Sequence, residues 1–267
     1  MGSRISSFAR FLTALVLAPL LLTGAASSYA EQSRSFAAEG FSAIVLKGGS
    51  TLEVVQGPEF SVTAHGEKND LEHARAEVSG NTLSLSVESD RKSLFGVVTV
   101  SSEPEIAFRV TLPTITALRV TGSGKASATT LESAELDLRV TGSGVIQVAK
   151  VAAESLNTNV TGSGDLILGT ILAVQGNTGV TGSGDVRMDN FIGEALNAQI
   201  KGSGDMVIGG KVADLKITVM GSGDFVGRNL QATNAGGTVM GSGDIVLKRP
   251  ASENFSVMGS GDIALVE

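Results

Sequence analysis

NVTGSGDLILG, residues 159–169, sets glycines on either side of a serine, an aspartate after them, and alternating apolar residues on both flanks. Read alone, it is a turn between two strands with a faint suggestion of a phosphate cradle. It is not alone. Gly-Ser-Gly begins at Gly122, Gly142, Gly162, Gly182, Gly202, Gly221, Gly241 and Gly259, with spacings of 18 to 20 residues. A period of this length marks a solenoid or array, in which each unit buries its apolar face only against its neighbours.

Aligning the repeats on Gly-Ser-Gly produces columns. Two positions before the first Gly stand Val120, Val140, Val160, Val180, Ile200, Val219, Val239 and Val257. Two and four positions after the last Gly stand pairs such as Ile146/Val148, Leu166/Leu168, Val186/Met188 and Met206/Ile208. Leu136, Leu156, Leu196 and Leu215 share an offset farther upstream. Apolar residues two apart follow the period of a strand and not of a helix. Each rung therefore reads as two short strands hinged at Gly-Ser-Gly, with a second, less regular turn elsewhere. The four or five aliphatics of one rung cannot offset the ordering of its backbone, so the rungs must stack. The expected fold is all-β: a parallel, two-sheeted β-solenoid with Gly-Ser-Gly as the corner of each coil. Right-handed coiling is expected from the handedness of parallel crossovers. The glycines are expected there because a tight reversal needs backbone angles that a side chain disfavours, at Gly164 for example.

The rest of the chain bounds this picture. Residues 1–30 read as a secretory leader: Arg4 and Arg10, an apolar core from Phe11 to Leu22, and Ser28-Tyr29-Ala30 as a small-residue cleavage site. Removing it takes the net charge from −7 to −9, a balance with no electrostatic footprint for nucleic acid. No later stretch is apolar enough to cross a membrane as a helix. The chain has no Cys, so an exported product must be held by packing and hydrogen bonds. Residues 31–267 read as a single solenoid domain, irregular over 31–121 and regular over 122–267. In the irregular part, Ile44/Leu46 and Leu52/Val54 flank Gly48-Gly49, Leu83/Leu85/Val87 follow Ser79-Gly80-Asn81, and Ile106 to Leu112 leads into the first regular rung. Asn69 to Val78 is read as a short helical turn and 89–96 as a projecting loop. This ragged half is expected to cover one end of the stack.

Eight corners of the type V-[TM]-G-S-G-D, behind a ragged β segment and a leader, resemble the auto-transporter adhesin head GIN domain family. The resemblance extends over essentially the whole mature chain. It implies a β-superhelix similar to the pectin-lyase group, with Gly-Ser-Gly at the tight turn, no established catalytic residue and a role in cell adhesion. Lys125 and Val145 depart from the pattern where later rungs carry Asp, so no Asp-dependent role carries over to the first two corners.

The chemistry-bearing residues are weighed against turn and strand roles. The serines Ser123, Ser143, Ser163, Ser183, Ser203, Ser222, Ser242 and Ser260 lack a base, because the two histidines, His65 and His73, lie outside the repeat. No corner satisfies G-x-S-x-G. Gly204 to Lys211 approaches a P-loop but has an extra Gly and Val212 where Ser or Thr is required. His65 and His73, near Glu67 and Glu72, have no spaced third ligand, so they read as surface histidines. The column Asp165, Asp185, Asp205, Asp224, Asp244, Asp262 reads as turn capping, each carboxylate accepting N–H groups of its own corner. Calcium between rungs is the alternative. No catalytic residue, cofactor or metal is expected.

Outside the coil, the column Ser127, Gln147, Ile167, Arg187, Val207, Val226, Val246, Ala264 and the column Thr121, Thr141, Thr161, Thr181, Lys201, Met220, Met240, Met258 both lose polarity toward the C-terminus. Together they are read as an apolar stripe for a second copy or an envelope partner. The function expected is a non-enzymatic, exported adhesion or structural module, periplasmic or at the cell surface. The alternative is a polysaccharide-binding or polysaccharide-active β-helix of pectin-lyase type. Against it stand acids arrayed in a line, Arg119 and Arg139 beside rungs without the corner Asp, and the loss of Tyr and Trp sugar platforms once Tyr29 departs with the leader. A regulatory or envelope-stress partner is a third possibility.

Overall fold

The computed structural model describes residues 32–88, 93–94, 97–98 and 106–267. The expected leader and most of the expected loop at 89–96 lie outside these residues. Of that loop Ser93–Leu94 is described, and it pairs antiparallel with Val97–Val98 just beyond the loop.

The repeat builds a parallel β-solenoid. Lys125–Gly142, Val145–Gly162, Asp165–Gly182 and Asp185–Gly202 are continuous 18-residue strands, one per rung. Each lies in register on the next, so that Val140, Val160, Val180 and Ile200 stack. The expectation of two short strands and a second turn is corrected for these four rungs. Later rungs keep it: Phe225–Gly227 and Leu230–Gly241 are separated by a turn at 228–229, and Ile245–Lys248 and Ser252–Gly259 by residues 249–251. Within Lys125–Gly142 the inward residues are Ala126, Ala128, Leu131, Leu136, Leu138 and Val140, so alternation breaks twice. The chain bends at those breaks, and only residues 129 and 134 drop out of the pairing with the next rung. Three outer faces result, 125–128, 130–133 and 135–142. A parallel neighbour on each side keeps the peptide groups bonded through a bend, so no separate turn is needed.

Gly-Ser-Gly is the one sharp corner, and its two glycines have different reasons. Gly162 has φ +113°, in the left-handed region open to glycine. Gly164 has no such angle. A Cβ there would stand 2.3 Å from the Gly144 carbonyl oxygen and 2.6 Å from Val140 Cγ1. The strain expected at Gly164 thus belongs to Gly162, and Gly164 is needed for the close approach of successive corners. Inside, one continuous core of aliphatic columns runs through the stack.

The irregular half is partly regular. Gly48-Gly49-Ser50 is a further corner: Ala43–Gly48 and Thr51–Gln56 pair in parallel with Ala117–Gly122 and the start of Lys125–Gly142, with Gly48 on Gly122. Beneath this rung lie Thr82–Val87 and Ala107–Leu112, also parallel. The strand Ala107–Leu112 then climbs past the Gly48 rung through 113–116 to Ala117–Gly122 above it. Antiparallel strands close this end: Ser61–Gly66 and Gln32–Phe36 on one side, Ala74–Ser79 on the other. The helical turn is confined to Lys68–Leu71, and Ala74–Ser79 is a strand. Gly80, at φ +59°, lets that strand reverse and pair with Thr82–Val87, which overrides the local helical pattern. Where the face 130–133 has no rung below it, the Gln56 amide serves in its place. Its Oε1 accepts from the Glu132 N–H at 2.7 Å, and its Nε2 donates to the Glu132 carbonyl at 2.8 Å.

At the other end, Ser252–Gly259 and Ile263–Val266 form the last described rung. With no rung above it, Val257 of the otherwise buried Val column is 40% exposed.

Candidate binding surfaces

The eight corner serines are all exposed, in a line along one edge of the solenoid. His65 lies in the antiparallel cap, its Nε2 3.3 Å from Thr63 Oγ1, and His73 lies beside the short helix, away from every corner serine. Gly204 to Lys211 is a corner followed by the strand Met206–Gly221, so no helix N-terminus is presented to a phosphate. Among the described residues no three His, Cys, Asp or Glu side chains are grouped as metal ligands.

The Asp column behaves differently from its expected role. Asp185 Oδ1 accepts the Asp205 N–H at 2.9 Å, and the pattern repeats at 2.8 Å from Asp205 to Asp224, Asp224 to Asp244 and Asp244 to Asp262. The carboxylates of Asp185, Asp205, Asp224 and Asp244 therefore cap the next rung and not their own corner. Asp262 alone bonds its own strand, through the Ile263 N–H. At earlier corners the equivalent N–H groups of Asp165 and Asp185 donate to the carbonyls of Gly144 and Gly164. Later strands resume one residue further on, at Met206 instead of the Asp, and the carboxylate replaces the lost carbonyl. These charge-assisted bonds offset the repulsion of stacked carboxylates.

The two apolar columns do not merge into one stripe. They lie on either side of the corner, with the exposed serines and the Asp ladder between them. Of their large apolar members Val207 and Met258 are exposed, at 41% and 58%, whereas Met220, Val226, Met240 and Val246 are half-buried.

The long face 135–142 carries a feature of its own. A shallow groove of about 700 Å³ runs across its strands, lined by Asn157, Asn177, Asn197, Gln199, Arg139 and Lys216 among others. Asn177 Nδ2 donates to Asn157 Oδ1, and Asn197 Nδ2 to Asn177 Oδ1, both at 3.1 Å. Behind them the inward Thr158 and Thr178 are buried and bonded to each other at 2.8 Å. At one end Asp137 receives Arg139 Nε at 2.9 Å and Arg119 Nε at 3.3 Å. In the middle, Gly179 follows Asn159 and precedes Gln199 in register, leaving a gap in the row of side chains.

The model of the family described as "Putative auto-transporter adhesin, head GIN domain" matches residues 40–192 and 169–266, nearly the whole solenoid. The chain belongs to this family. As a head GIN protein it shares its fold with solved relatives. A structure titled as a putative lipid binding protein from Parabacteroides distasonis superposes with TM-score 0.78 at 21% identity, covering 89% of this chain and 97% of that one. A putative adhesin from the same organism gives 0.77 at 19% identity, over 88% and 97%. Another from Parabacteroides merdae gives 0.76 at 18%, over 89% and 96%. No curated protein matches the chain.

The alignment that yields the Val and Leu columns also holds the groove. Asn157, Asn177 and Asn197 each stand five residues before a corner, a polar periodicity that reading for the core passes over.

Proposed function

We propose that this head GIN protein is a non-enzymatic, exported adhesion or structural module of the bacterial cell envelope, periplasmic or at the cell surface. The observation that carries this reading is the stacking of each outward side chain into a column about 4.8 Å from its equivalent on the next rung. Such a surface presents one chemistry many times along a rigid rod, which suits multivalent attachment. Family membership supports adhesion, and no described helix is long and apolar enough to cross a membrane. The reading requires no cofactor, metal or catalytic residue. It includes self-association or an envelope partner at the C-terminal rungs, where Val207 and Met258 are exposed.

A second reading, a polysaccharide-binding β-helix, is favoured by the Asn-lined groove and is compatible with the first. Deleting the coding sequence and scoring surface attachment, biofilm and envelope integrity tests the main reading. Attachment or biofilm should fall and be restored by the full chain. Unchanged attachment and biofilm, or release of reducing sugar from polysaccharide by the purified protein, would refute it.

A further inference from the structure

We propose that the groove on face 135–142 binds a linear acidic polysaccharide laid along the solenoid axis, one sugar residue per rung. The assignment rests on the adhesive reading and names its ligand class.

The hydrogen-bonding inventory points to a polyol. A primary amide has two donor hydrogens and two acceptor sites. Asn177 spends one donor on Asn157 and one acceptor on Asn197, so the ladder leaves one N–H and one lone pair of its amide unspent. A donor beside an acceptor, repeated at the three Asn rungs, matches adjacent hydroxyls on successive sugars. A pyranose residue in an extended chain has nearly the length of the strand spacing, about 4.8 Å. Four such spacings separate Asp137 from Lys216, giving a track about 19 Å long, room for roughly five residues.

The charges select an acidic chain. Asp137 is shared by two arginines, leaving one positive charge in surplus at that end. Lys216 lines the other end and makes no ion pair among the described residues. Among the described residues Asp137 is the one acid lining the groove, and the nearest others on this face, Glu135 and Asp214, stand in the adjoining column at its edge. Gly179 keeps the middle open, since any side chain there would stand in the track.

The chain has no Trp, its single Tyr is Tyr29, and no described aromatic residue lines the groove, so no ring there stacks on the sugars. Affinity must come from many weak polar contacts, and it should climb steeply with ligand length until the groove is filled.

The test uses the full mature chain with galacturonan, alginate and hyaluronan oligosaccharides of two to eight residues, and with methyl-esterified galacturonans, titrated by NMR or calorimetry. At least one acidic series should bind with affinity rising to about five residues and then levelling, and neutralising its carboxylates should weaken binding about tenfold or more. Gly179→Glu should abolish binding. Its Cβ meets only the flexible Asn159 amide, at 2.9 Å, so the melting temperature should hold. Lys216→Ala should weaken binding about fivefold. No saturable binding of any acidic octamer at millimolar concentration would overturn the proposal. So would binding indifferent to both variants, or esters that bind as well as the acids. If deletion abolishes attachment while the pure protein ignores every acidic probe, the glycan assignment fails and the adhesive reading stands.

Discussion

Gly164→Val should destabilise the protein by about 3 kcal/mol or more, while Ser163→Ala, one residue away, should change stability by no more than about 0.5 kcal/mol. The difference comes from stacking. Ser163 is exposed and its side chain bonds nothing in the corner. Gly164 is buried, and a Cβ would lie 2.3 Å from backbone oxygen of the rung below. That oxygen cannot move alone, because it accepts the Asp165 N–H at 3.0 Å. Relief requires parting two rungs at the point where their hydrogen bonds are made. Chemical denaturation of both variants decides the matter. A Gly164→Val protein as stable as the parent would mean that the corners do not stack as closely as described.

Phe191→Ala should cost about 3–5 kcal/mol, as for other large buried aromatics. The informative variants concern its neighbour. The column Leu136, Leu156, Leu196, Leu215 is interrupted at Gly176, which lies in register between Leu156 and Leu196. Phe191 fills that gap. A Cβ on Gly176 would meet the Phe191 ring at 2.8 Å and Leu196 Cδ1 at 2.8 Å. One column loses a leucine and its neighbour gains a ring where Leu131, Val151 and Ile171 precede it. Gly176→Leu alone should cost about 2–3 kcal/mol by overpacking, and Phe191→Ile about 1–3 kcal/mol by leaving a void. Combined, they restore the regular pattern, so the pair should recover about 2 kcal/mol relative to the sum. Strictly additive losses would show that the two residues do not share one space.

The parts legible in the sequence were those that the core repeats. Val160, Leu166 and Leu156 recur because each meets its own equivalent on the neighbouring rung, and that constraint leaves an apolar period. Features set by contacts between rungs left weaker traces. Gly48-Gly49-Ser50 does not spell Gly-Ser-Gly, and only its register on Gly122 reveals a corner. The two bends of the first regular rung fall at ordinary residues, Thr129 and Ala134, since neighbouring strands support them, and turn residues such as Gly210 (φ +118°) and Asn229 enter only in later rungs. The Asp carboxylates were expected to bond within their own corners, as an isolated turn would have them do. In the stack the nearer unsatisfied N–H belongs to the following rung. Asn69 to Val78 looked helical locally, but pairing with Thr82–Val87 offered Ala74–Ser79 more hydrogen bonds than a short helix could. The Asn row has the period of the core but faces outward, and outward polar residues carry no burial signal in a sequence.

Cross-linking measures the stacking most directly, and the chain's lack of cysteine makes it clean. Thr141 and Thr161 are exposed and paired across adjacent rungs. Strand spacing of about 4.8 Å puts their Cα atoms within the range a disulfide spans. Thr141→Cys with Thr161→Cys should therefore oxidise rapidly and completely within the native monomer. Thr141→Cys with Asn157→Cys, offset four residues along the strand and so separated by about 14 Å, should stay reduced under the same conditions. Equal oxidation of the two pairs, or preference for the second, would contradict a solenoid in which each Gly-Ser-Gly corner lies directly on the one before it.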